Sequence, residues 1–94
     1  MFVCQLIVVL IAMTVPVQAQ RADAKKAEDA FSAGRRHEIA GQLDAALQQF
    51  SEAIGFAPDF AAAYRHRGKT HLQLGHTAEA LSDLNAAIRI QHDD

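Results

Sequence analysis

Between residues 43 and 54 the apolar side chains fall at Leu43, Ala46, Leu47, Phe50, Ala53 and Ile54. Steps of three and four draw one stripe down a helix. The same spacing returns at Ala80, Leu81, Leu84, Ala87 and Ile88. Each stripe follows a longer segment of helix-forming residues that stops at a glycine, Gly41 and then Gly75. Glycine suits the left-handed end of a helix. The pattern predicts helices over about residues 24–40 and 43–56, then a third helix running to Leu74 and a fourth beginning near Thr77. Between the second and third, Pro58 cannot continue a helix, while Asp59 and Thr77 are candidate N-caps. No stretch alternates strongly enough to be a strand, so the expected fold is all-α.

The two stripes belong to a longer repetition. Sliding residues 27–60 over 61–94 aligns Ala27 with Ala61, Gly34 with Gly68, His37 with His71, Gly41 with Gly75, Ala46 with Ala80, and Ile54 with Ile88. The recurring residues are mainly small or apolar, the types that govern close packing. In the first unit they fall as Ala30-x2-Ala33-Gly34-x2-His37, then Ala46-x3-Phe50, then Pro58. In the second they fall as Tyr64-x2-Arg67-Gly68-x2-His71, then Ala80-x3-Leu84, with His92 in place of the proline. This spacing resembles the tetratricopeptide repeat family, with its pattern W-x2-L-G-x2-Y, A-x3-F and P. The departures are His at both Tyr positions, Ala30 for the aromatic and Arg67 for Leu, which should weaken each unit slightly. The resemblance implies two tandem helix-turn-helix hairpins forming a short α-solenoid, with one repeat over 27–60, a second over 61–94 and a lead-in over 20–26.

Composition divides the chain in two. Residues 2–17 are a dense apolar run, and every Lys, Arg, Asp and Glu lies at or after Arg21. The run is shorter than the roughly 20 residues a spanning helix needs. It leads into "VQA", small side chains suited to signal-peptidase cleavage after Ala19. Its own start carries no Lys or Arg, which leaves two readings of residues 1–19: a cleaved signal peptide, or a retained hydrophobic anchor. The chain is therefore expected to be exported, periplasmic or secreted, or else tethered to a membrane through this segment. The single cysteine, Cys4, lies inside the run, so the remainder has no thiol for a disulfide or a Cys-ligated metal. A net charge of −2 argues against a nucleic-acid partner, which calls for a strong basic excess.

Five histidines raise the question of metal or acid–base chemistry. His66, His71 and His76 are spaced by five, about 140° per step on a helix, which scatters them over different faces. Gly75 also ends the helix before His76. His37 and His71 are expected to replace a core-edge tyrosine, with the ring packed and one nitrogen hydrogen-bonded. No phosphate loop or nucleophile elbow is present. The expectation is a protein without catalytic activity, cofactor or metal.

Binding is the better expectation. In stacked hairpins the first helix of each unit lines the concave side. The resemblance implies that Glu28, Phe31, Arg35 and Glu38 of the first unit, and Ala62, Arg65, Lys69 and Leu72 of the second, face that groove. Phe31 with Arg35, and Arg65 with Lys69, are neighbours by their four-residue spacing. Phe31, Arg35, Arg65 and Lys69 should together form a patch of one aromatic and three cations, suited to an acidic peptide or a C-terminal carboxylate. The patch departs from the family's carboxylate-clamp members, which carry Asn where this chain has Arg35, Lys69, Ser32 and His66. A two-unit solenoid also leaves its last helix uncovered. Some of Leu81, Leu84, Ile88 and Ile90 should stay partly exposed and pair with a second copy or another protein. The readings are thus a protein-interaction module, a self-associating structural segment of an envelope complex, or a piece of a longer array.

Overall fold

The computed structural model describes residues 17–93. Four helices follow in order: α1 (Val17–Ile39), α2 (Leu43–Phe56), α3 (Ala61–Gln73) and α4 (Thr77–Asp93). No strand occurs among the described residues. Residues 1–16, and with them nearly all of the expected signal or anchor, lie outside the described part. No described helix is long and apolar enough to cross a membrane. The first helix begins seven residues before the apolar pattern placed it. Residues 17–26 hold no Gly or Pro and are rich in Ala, Gln, Lys and Arg, strong helix formers that carry α1 past its packed face.

Both hairpin turns are built alike. Gly41 and Gly75 take φ of 77° and 83°, the left-handed region where a Cβ is penalised. The Gly41 N–H donates to Glu38 O at 3.1 Å and the Gln42 N–H to His37 O at 2.8 Å. In the second unit Gly75 donates to Leu72 O at 3.1 Å and His76 to His71 O at 2.8 Å. This paired bonding is the Schellman arrangement, which satisfies carbonyls that a helix end leaves orphaned. Gln42 and His76 then start the next helices, since their carbonyls accept from Ala46 and Ala80 at 3.0 Å each.

Two capping expectations are corrected. Phe60, not Asp59, occupies the cap position of α3, and it makes no side-chain cap bond. The reason is the turn headed by Pro58. The Phe60 N–H closes on Ala57 O at 3.0 Å, which leaves Asp59 inside the turn. Thr77 is the first helical residue of α4, one position beyond a cap.

The helices pack α1 on α2, α2 on α3, and α3 on α4, and α1 also touches α3. Close approach within each hairpin depends on glycine. A Cβ on Gly34 would sit 2.5 Å from Phe50 Cε1, and one on Gly68 would sit 3.0 Å from Leu84 Cγ. Phe50 and Leu84 are equivalent positions, so each unit seats a large apolar side chain against a bare backbone. Around them Ala27, Ala30, Ala46, Ala53, Ala63, Ala80 and Ala87 are buried. The junction between hairpins centres on Ala30, Ala53 and Ala63, with Phe31, Ile54 and Phe60 packed against them. On α4 the counterparts of half-buried Leu47 and Ile54 are Leu81 and Ile88, exposed by 60% and 62%, while Leu84 and Ile90 are half-buried.

Candidate functional site

The meeting of α1 and α3 is built around Phe31. Its ring centroid lies 4.9 Å from Phe60, 5.8 Å from Phe50 and 5.3 Å from His66, the last edge-on. Such tilted and edge-on arrangements are the favoured ones for aromatic pairs. His66 also lies 5.7 Å from the Phe50 centroid, so the imidazole completes an aromatic cluster joining both units. Its Nδ1 meets Glu38 Oε2 at 3.1 Å, linking α3 back to α1.

Of the four residues expected to line the groove, Phe31 is therefore half-buried in this cluster, while Arg35, Arg65 and Lys69 are exposed. None of these three cations lies within ion-pair distance of a carboxylate among the described residues. Of the two acidic residues expected in the groove, Glu38 is engaged by His66 and Glu28 is exposed. Leu72 is 52% exposed. Spacing alone did not reveal the Glu38–His66 contact, which links residues 28 apart on different units.

Behind α3, on its α4 side, lies an ion pair the sequence reading missed. Arg67 donates from Nε to Asp83 Oδ2 at 2.8 Å and from Nη2 to Asp83 Oδ1 at 2.7 Å. A third donation, from Nη1 to Ser51 Oγ at 3.2 Å, reaches α2. Asp83 is buried, and its hydrogen bonds to the guanidinium raise the Arg67 pKa against the opposing effect of burial. Bidentate pairing of this kind fixes geometry as well as charge. The residue that departs from the family's leucine thus ties three helices together. The available signal was the matching change on α4: the first unit has Ala33 and Gln49 where the second has Arg67 and Asp83.

The histidines divide. His37 donates Nδ1–H to Gln42 Oε1 at 2.6 Å. His71 is half-buried and its Nδ1 faces His76 Nδ1 at 3.1 Å. The expectation that His66, His71 and His76 stay apart holds for His66, which turns to α1, and is corrected for the other two. A five-residue step separates them on a continuous helix, but Gly75 reverses the chain between them. In a Schellman turn the residue after the glycine folds back over the last helical turn, and a side-chain contact at this place commonly accompanies it. Among the described residues no three metal-ligating side chains converge.

Antiparallel helix pairs stacked through small residues, with their first helices in contact, define an all-α helical-hairpin solenoid. Residues 34–75 match the family model described as TPR repeat. The chain is similar to Tetratricopeptide repeat protein 36 of Danio rerio, 38% identical over 68 residues, which is 72% of this chain and 36% of that protein. The protein of the same name from Mus musculus is 40% identical over 57 residues, covering 61% of this chain and 31% of the relative. DnaJ homolog subfamily C member 3 of Homo sapiens is 38% identical over 60 residues, 64% of this chain and 12% of that protein. These likenesses support the tetratricopeptide repeat family. The chain spans roughly a third of the length of the two proteins named tetratricopeptide repeat protein 36.

Proposed function

We propose that this chain is a non-catalytic protein-interaction module that takes an acidic peptide segment, or a C-terminal carboxylate, along the face shared by α1 and α3. The observation that carries the reading is the disposition of charge. Arg35, Arg65 and Lys69 are exposed and without a carboxylate partner among the described residues, whereas of the two acidic residues expected on that face Glu38 is occupied by His66 and Glu28 alone is left exposed. Phe31 supplies an apolar floor beside them, and the Phe31–His66 cluster holds the two helices at a fixed separation. Charge-assisted hydrogen bonds from Arg and Lys are the strong kind for a carboxylate ligand. The apolar N-terminal segment supports placing the module outside the cytoplasm or on a membrane surface.

A second reading rests on a different observation. Leu81 and Ile88 are seven residues apart on α4 and exposed by 60% and 62%, although their first-unit counterparts are half-covered. Self-association through that face would make the chain a structural segment of a larger assembly. One experiment separates the two. The double variant R65E/K69E should lose binding to acidic peptides on an array by tenfold or more, with sedimentation behaviour unchanged. If acidic peptides bind wild type and variant equally, the groove reading fails.

A further inference from the structure

The geometry points to a metal-binding site at the second hairpin turn, in which His71 and His76 together hold a divalent transition-metal ion of the zinc class. Two imidazole nitrogens bound to one tetrahedral ion by bonds of about 2.05 Å lie about 3.3 Å apart. His71 Nδ1 and His76 Nδ1 are 3.1 Å apart, with ring centroids at 5.3 Å. The two nitrogens already stand at chelate spacing, and a tilt of each ring by roughly 35° turns them from facing one another to facing a common ion. The turn fixes the spacing, since the His76 N–H bonds to His71 O at 2.8 Å and Gly75 is held at φ 83°. Both partners are therefore positioned before any ion arrives, which removes much of the ordering cost of binding.

Asp83 Oδ2 lies 3.9 Å from His71 Nε2, on the far side of the ring from His76. The Nδ1 edge of His71 faces His76. In the metal-free pair one Nδ1 donates and the other accepts, and a chelate takes both rings with their hydrogen on Nε2. Glu79 and Asp83 line the cleft beside His71 with Arg67 as its one cation, and Arg67 is already matched by Asp83. With two protein ligands, water completes the coordination.

The first unit provides an internal control. There the equivalent pair is His37 with Gln42, joined by an ordinary hydrogen bond of 2.6 Å. His76→Gln therefore converts the second turn into the pairing the first already sustains, keeping the fold while removing one ligand. The test is zinc chloride titrated into the full chain at pH 7.5, followed by the imidazole nitrogen resonances and by the melting temperature. One equivalent of zinc should shift the His71 and His76 resonances, leave those of His37 unmoved and raise the melting temperature. H76Q should weaken binding at least tenfold and abolish the thermal shift, while H37Q should change neither. No saturable shift at His71 and His76, or undiminished zinc affinity in H76Q, would overturn the proposal.

Discussion

At the scale of single residues, Arg67 shows how a departure from a family pattern can be compensated by a change elsewhere. An arginine among packed helices would be costly alone, but Asp83 meets it with two parallel bonds and Ser51 with a third. Removing one partner of such a pair leaves a charge uncompensated, which costs up to about 3–5 kcal/mol when both are fully buried. The Arg67 side chain keeps 23% of its exposure, so the expected loss for D83N is smaller, about 2 kcal/mol by chemical denaturation. Replacing both residues together by apolar ones should cost less than D83N, because no charge is then stranded. The sign of any pH effect follows from the raised Arg67 pKa. Its stabilising contribution is complete at every pH below the unfolded-state value and fades only in strong alkali. Neutral and mildly acidic stability should therefore not depend on Arg67 titration. None of this pairing was readable from one helix stripe, because it depends on which side chains meet across a hairpin.

At the scale of helices, the stops were more legible than the starts. Gly41 and Gly75 end their helices as the pattern required, because a positive φ is a backbone demand that only a few residue types meet cheaply. The starts at Phe60 and His76 rest on main-chain bonds alone, and no side-chain preference marks them in the sequence. The glycines inside helices carry opposite expectations. At Gly34 a Cβ would lie only 2.5 Å from Cε1 of the fully buried Phe50 ring. Overpacking of about 1–3 kcal/mol outweighs the helix-propensity gain of at most about 1 kcal/mol. Gly55 has nothing within 4 Å of such a Cβ, so only the propensity gain remains. Thermal unfolding should show G34A below wild type and G55A above it. A G34A variant as stable as wild type would mean the helices of the first hairpin do not approach as closely as described.

For the molecule as a whole, the 34-residue repetition carried the architecture, since equivalent residues occupy equivalent places in both hairpins: Gly34 with Gly68, Gly41 with Gly75, Phe50 with Leu84. What repetition cannot show is the contact between unlike residues of different units. Phe31 was placed in the groove by its position, yet it sits half-buried among Phe50, Phe60 and His66. The Glu38–His66 bond, too, has no counterpart inside one unit, and it leaves Arg35, Arg65 and Lys69 against the single exposed carboxylate of Glu28 on that face. The central claim is that the hairpins stack in one orientation, so that α1 and α3 share a surface. Proton NMR of the aromatic rings tests this most directly. The account predicts nuclear Overhauser contacts from Phe31 to Phe60 and to His66, whose centroids lie 4.9 Å and 5.3 Å away. Contacts confined within each hairpin, with none from Phe31 to Phe60 at the head of α3 or to His66 within α3, would contradict it.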